Sequence, residues 1–174
     1  MPRSFLNRKL GHVKSWLLQA PSNTRNMCDI DNLPKRFLHM PKLKITAAQM
    51  VANARARIDE VETADLIGKV GDDNVVIVDI RDIRERERTG FIPGSVHAPR
   101  GMVEFWVDPD SPYFKEVFGQ DDKQYVFHCA SGWRSALTVA TLQDMGFDAA
   151  HLKEGFSTWE KHGGPVEKLP RDAD

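Results

Sequence analysis

Cysteine is scarce in this chain of 174 residues: there are two, Cys28 and Cys129, 101 positions apart. Two isolated thiols make neither a disulfide scaffold nor a closely spaced metal cluster, and they suit a reducing setting in which a lone important Cys is a candidate nucleophile. Long apolar runs are missing as well. The longest aliphatic stretch is Val75-Val76-Ile77-Val78, far short of the roughly 20 apolar residues that a membrane span requires. Net charge is nearly absent, at −1, so no global basic excess points to nucleic acid. What is present is an ordinary globular balance, 41% hydrophobic and 28% charged, which excludes disorder, collagen and coiled coil as descriptions of the whole. A chain of this length forms one domain with room for an appendage, and its core is large enough to dispense with disulfides.

Acids are missing from the beginning of the chain, where none precedes Asp29. Residues 1–40 carry seven Lys/Arg against two acids, while residues 41–174 carry 17 against 23. Leu6, Leu10, Val13 and Leu17 fall on one helical face. The expected organisation is therefore a basic amphipathic extension over 1–40 and a single domain over 41–174. The extension reads as a mitochondrial presequence, as a non-essential upstream segment with Met40 the functional start, or as a docked surface helix. His12 and Lys14 interrupt any secretory core. The expected compartment is the cytoplasm, or the mitochondrial matrix if the extension is a presequence.

The body alternates strand and helix signals. Thr46 and Gln49 form a capping box for a helix over 47–56. Ile58 to Val61 is a short strand, and Thr63 caps a helix over 64–70. Val75 to Asp79 is a β-branched run of the kind buried on both faces. The alternating charges of Arg81 to Arg88 predict a solvated helix face. Ser95 to Ala98, Tyr125 to His128 and Ala149 to Leu152 are further strands. Helices are expected over 135–145, closed by Gly146, and over 156–162. Strand and helix in alternation predict an α/β fold, a parallel sheet covered by helices on both faces.

The chemistry is expected at Phe127-His128-Cys129-Ala130-Ser131-Gly132-Trp133-Arg134-Ser135. Cys129 follows a strand and precedes a helix, at the end of a parallel sheet where ligands bind. Gly132 permits φ > 0. A short loop entering a helix N-terminus aims several N–H groups at one point and favours an anion there, and so a thiolate. The bland alternative is a small buried hydrophobe at a strand end. Arg134 supplies a charge at the rim or pairs with a carboxylate that braces the loop, and Ser135 is a candidate helix cap. His128 should point away from Cys129, because successive strand side chains alternate. Four residues separate Cys129 from Arg134. Phosphate-enclosing loops of this architecture have five, and a smaller ring suits one extra sulfur atom.

The loop and its setting resemble the rhodanese family of sulfurtransferases over roughly residues 61–168. The resemblance rests on Cys129 to Ser135, on Val78-Asp79-Ile80-Arg81, on Gly90-Phe91-Ile92-Pro93-Gly94-Ser95, and on Leu152-Lys153-Glu154-Gly155 followed by Trp159 and Pro165. Phe91, Ser95 and Glu154 depart from the family's usual His, Ala and Gly. The resemblance implies a three-layer α/β/α domain with a roughly five-stranded parallel sheet, and a persulfide intermediate on Cys129. It implies no metal or organic cofactor. The partners implied are a small sulfur donor, thiosulfate or a persulfide, and a thiol or cyanide as acceptor, with a protein persulfide as a further candidate donor. The main-chain N–H groups of Ala130, Ser131, Gly132, Trp133, Arg134 and Ser135 would hold the anionic sulfur. The neutral Ala130 and Ser131 disfavour thiosulfate, since members that use it readily often carry a cation just after the Cys.

Asp79 and Arg81 are expected to brace the ligand end of the sheet, and Arg100 is a more remote pocket candidate. The aromatic-rich segment 102–118 is core cover, a pocket wall or a partner surface. Trp133 shields the persulfide or meets a partner, and Cys28 is a remote candidate for resolving it. Two competitors stand beside the sulfurtransferase: a persulfide carrier or regulatory module without turnover, and a phosphatase or arsenate reductase.

Overall fold

The computed structural model describes residues 43–170. The amphipathic pattern at 6–17, Cys28 and the whole of the 1–40 extension lie outside the described residues.

Five strands form one parallel sheet: β1 (Asp59–Val61), β2 (Val75–Asp79), β3 (Val96–His97), β4 (Gln124–His128) and β5 (Ala150–Leu152), in the order β1-β5-β4-β2-β3. The first strand therefore pairs with the last, and β4 lies at the centre. Side chains alternate across the sheet. Val78 and Phe127 point into a core shared with α1 (Ala47–Arg55), α4 (Val103–Val107) and α5 (Trp133–Asp144). Ile77 and Val126 point to the opposite core, built with Leu66 of α2 (Thr63–Ile67) and with Phe156 and Trp159 of α6 (Phe156–Trp159). With α3 (Ile83–Thr89) the result is the expected three-layer α/β/α arrangement.

The capping box at Thr46 forms as expected: Gln49 N donates to Thr46 Oγ1 at 3.2 Å and Thr46 N to Gln49 Oε1 at 2.9 Å. Three expectations change. Thr63 is the first residue of α2 and not its cap, which is Glu62. The aromatic-rich segment after β3 contains a helix absent from the expected elements, because Val103 to Val107 is helical and buries Val103 and Val107. The charged run is not uniformly solvated, since Arg81 and Arg86 are buried. Their shared carboxylate partner, Asp79, lies on a strand, and a helical charge pattern alone does not reveal such a partner. The aromatic segment divides. Phe118 stacks on Phe127 at 6.3 Å in the core, whereas Phe105 and Tyr113 meet edge-on at the surface.

Candidate active site

Cys129 lies one residue beyond β4, at the carboxyl end of the central strand. Its neighbours hold the loop from behind. The carbonyl of Cys129 accepts from Phe156 N, and that of Ala130 from Ser157 N, both at 2.8 Å. A trans peptide directs its N–H opposite to its C=O, and no cis bonds occur among the described residues. Anchoring these two carbonyls on α6 therefore turns the N–H groups of Ala130 and Ser131 away from α6. Among the described residues, none of the main-chain N–H groups from Ala130 to Ser135 donates to a main-chain acceptor. These free donors lie at the start of a twelve-residue helix, where main-chain N–H groups and the helix dipole together favour negative charge.

Two glycines make this geometry possible. Gly132 has φ 76°, and a Cβ there would run into the Lys153 carbonyl oxygen, which Arg55 Nη2 holds at 2.8 Å. Gly155 has φ 69°, and its Cβ would sit 2.7 Å from the carbonyl oxygens of Cys129 and Ala130. A side chain at either position would push the loop off its support.

Arg134 turns both terminal guanidinium nitrogens, Nη1 and Nη2, to Glu85, at 2.7 and 2.8 Å. This hydrogen-bonded pair holds the Glu85 carboxyl below the usual carboxylate range, although partial burial works against it. Glu85 Oε2 also accepts from Asp82 N at 3.1 Å, closing the capping box of α3. The rim arginine is thus fixed to the start of a neighbouring helix.

Ser135 does not cap α5. It is the third helical residue, fully buried, and its hydroxyl lies 3.6 Å from Cys129 Sγ and 3.3 Å from His151 Nδ1. The cap position belongs to Gly132, in the left-handed region. Behind Ser135, His151 Nε2 lies 2.8 Å from Glu60 Oε1, and Arg55 Nε approaches the same oxygen at 3.5 Å. The parallel pairing of Glu60 with His151 sets this contact. Burial is the main influence on His151 and lowers its proton affinity, Glu60 raises it, and Arg55 lowers it.

Asp79 and Arg81 lie on the other face of the sheet. Arg81 Nη2 donates to Asp79 Oδ2 at 2.7 Å and to the Gly90 carbonyl at 2.8 Å, and its Nη1 donates to Thr89 at 2.9 Å. Burial pushes the Asp79 carboxyl up, but the surrounding cationic groups outweigh it and the carboxyl stays below its ordinary value. His128 stacks on Phe156 within this cluster and points away from Cys129, and burial pushes it down to about 4. It is neutral near pH 7, so Arg81 is the charged partner in direct contact with Asp79. Arg100 lines an open depression with Gly101, Glu104 and Phe105 and makes no hydrogen bond or ion pair to the loop among the described residues. Trp133 is 50% exposed beside the buried sulfur, and Ser131 is exposed.

The structure therefore brings Cys129, the 130–135 loop and Ser135 together, sets Asp79 and Arg81 behind the sheet, and gives Arg100 no bond to the loop among the described residues. Glu60, His151 and Glu85 had not been singled out from sequence. A histidine inside an expected strand is the one local signal, because such a group needs partners if the strand is buried.

A family model described as a rhodanese-like domain matches residues 62–162. A Bacillus subtilis (strain 168) protein named "Putative sulfurtransferase YtwF" is 33% identical over 109 residues, covering 62% of this chain and 96% of its own. A solved structure from Rhodopseudomonas palustris, described as of unknown function and a possible tyrosine phosphatase, is 50% identical with a TM-score of 0.70, and the match covers 74% of this chain and all of that one. A rhodanese-related protein from Thermoplasma volcanium is 26% identical with a TM-score of 0.51, over 63% of this chain and 97% of its own.

Proposed function

The chain belongs to the rhodanese-like domain family, and on that premise we propose that it transfers sulfane sulfur through a persulfide on Cys129. The observation that carries this reading is the arrangement of free loop N–H groups after a cysteine whose loop is braced from behind by Phe156 and Ser157. In the first step the Cys129 thiolate attacks the outer sulfur of the donor. The donor's S–S bond breaks, and sulfite or a thiolate leaves with the electron pair. In the second step a thiol acceptor, or cyanide in the test tube, takes the outer sulfur and regenerates the thiolate. Two covalent half-reactions predict ping-pong kinetics. The loop N–H groups stabilise the anionic sulfur in both states, and Arg134, held by Glu85, keeps a positive charge at the rim. Asp79 and Arg81 act by bracing and do not touch substrate. With Ala130 and Ser131 uncharged, a small-thiol or protein persulfide is the expected physiological donor ahead of thiosulfate.

The likeness to the Rhodopseudomonas palustris protein raises phosphoester hydrolysis as a second reading. The four-residue span between Cys129 and Arg134 opposes it, since that ring is one residue shorter than a phosphate-enclosing loop.

One experiment addresses both. Wild type and Cys129→Ser are incubated with thiosulfate, with a small-thiol persulfide and with p-nitrophenyl phosphate. The expected result is a gain of one sulfur mass on the Cys129 peptide, larger with the persulfide, discharged by cyanide and absent from Cys129→Ser. A stable adduct that no acceptor discharges would identify a carrier. Turnover of the phosphate ester without any sulfur adduct would overturn the reading.

A further inference from the structure

The proposed reaction needs a thiolate, yet Cys129 is 1% exposed and its proton must go somewhere. The loop N–H groups favour an anion but accept no proton, and the Arg134 guanidinium is already fully protonated and has no accepting lone pair. The remaining polar path runs through Ser135, whose hydroxyl lies 3.6 Å from the sulfur and 3.3 Å from His151 Nδ1. The far nitrogen of that ring lies 2.8 Å from Glu60. A carboxylate only accepts, so Nε2 is the donating nitrogen and Nδ1 has a free lone pair turned to Ser135. We propose that His151 is the proton acceptor of Cys129, reached through the Ser135 hydroxyl, so that the thiolate forms together with a His151 imidazolium held against Glu60.

The transfer balances. The S–H bond breaks and its electron pair stays on sulfur. Ser135 Oγ takes that proton and gives its own to Nδ1, while Nε2–H stays on Glu60. The net charge of the site does not change, which matters in a buried place where an isolated new charge is costly. The groups facing His151 are consistent with this role. Glu60 comes from β1, Ser135 from α5, and Phe127 of β4 is the ring's register partner. Among the described residues, Arg55 of α1 is the cation that opposes it, and Arg55 is partly engaged by Glu60 and the Lys153 carbonyl. Burial favours the neutral form of the ring. His151 is a positioning and proton-holding residue that touches no substrate.

The inference rests on Cys129 acting as a nucleophile, but its test does not require turnover. The ultraviolet thiolate band of the full-length protein is followed against pH, with Cys129→Ser subtracted. His151→Gln keeps a donor for Glu60, and His151→Asn keeps an acceptor for Ser135, yet neither takes up a proton. Both, and Ser135→Ala, are expected to move the band to higher pH by about one unit or more, roughly a tenfold loss of thiolate at a given neutral pH. The bands should reach wild-type height at high pH, which a merely structural lesion would not restore. Curves that superimpose on wild type overturn the proposal. If the variants do not fold, side-chain nitrogen NMR of the wild type decides. His151 should carry more proton in wild type than in Cys129→Ser at the same neutral pH, and equal protonation in the two overturns the proposal. Failure of sulfur transfer with an intact band shift would refute the transferase reading alone.

Discussion

Two buried polar corners lie at the same carboxyl edge of the sheet, on opposite faces, and each contains a histidine with no exposed surface. Around His128 the charges belong to others. Asp79 is paired to Arg81, and Arg86 Nε stands 3.8 Å away. His128 Nε2 lies 3.8 Å from Asp79 and makes no hydrogen bond to the protein. Around His151 each ring nitrogen has a neighbour that completes a path, Ser135 on one side and Glu60 on the other. Equal burial therefore produces different groups. One is a neutral wedge beside two arginines, where a further positive charge has no partner. The other is a base whose charged form is already matched by a carboxylate. The comparison teaches that depth alone does not decide whether a buried histidine works. What decides is whether an opposite charge lies within hydrogen-bond reach of the ring, as Glu60 does at 2.8 Å from His151 and Asp79, at 3.8 Å from His128, does not.

The comparison can be broken at the carboxylates. Asp79→Asn leaves two buried guanidinium groups without their anion, and a loss of about 3–5 kcal/mol is expected, read as a lower urea midpoint. A loss below 1 kcal/mol would mean that the cluster is less dry than its burial indicates. The next effect concerns pH. The folded state holds His128 neutral down to about 4, against an ordinary value of 6.5. Because its folded affinity for protons is lowered, this stabilisation is present above pH 6.5 and is lost as the pH falls from there toward 4. It amounts to something on the order of 3 kcal/mol at most. In His128→Gln the decline of unfolding free energy between pH 7 and 5 should flatten, and an unchanged slope would return the wedge to an ordinary histidine. The smallest effect on stability belongs to Glu60→Gln. Glu60 is partly exposed and glutamine can still accept from His151, so about 1 kcal/mol or less is expected. The thiolate band should nevertheless move to higher pH, which separates an electrostatic partner from a structural one.

Much of the fold was legible because its signals are local. The β-branched run at 75–79, the Thr46 capping box and the turn glycine at 146 each act within a few residues. Helix α4 was hidden because Val103 and Val107 sit among aromatics and prolines that also suit a connection. The charged run at 81–88 was misread in part, since alternating signs describe a solvated face and a buried ion cluster equally well. Arg81 and Arg86 are distinguished only by Asp79, which lies on a strand. The cysteine loop was legible as a loop, but its support was not. Glu60 and His151 are 91 positions apart, and only the pairing of β1 with β5 brings them together. Glu85 likewise matters to Arg134 across 49 positions. Ser135 suits a helix cap by residue type, but the left-handed Gly132 occupies that position and Ser135 falls inside the first turn, against the sulfur.

The pairing of the first strand with the last has a consequence in time. During synthesis the chain emerges from its amino end, so β1 waits without a neighbour until β5 has been made. The two carbonyls that shape the cysteine loop wait longer still, for Phe156 and Ser157. Contacts of such long sequence separation form late. A nascent chain that already contains Cys129 therefore carries an ordinary thiol, and the assembled site arrives only with the final turns of the domain.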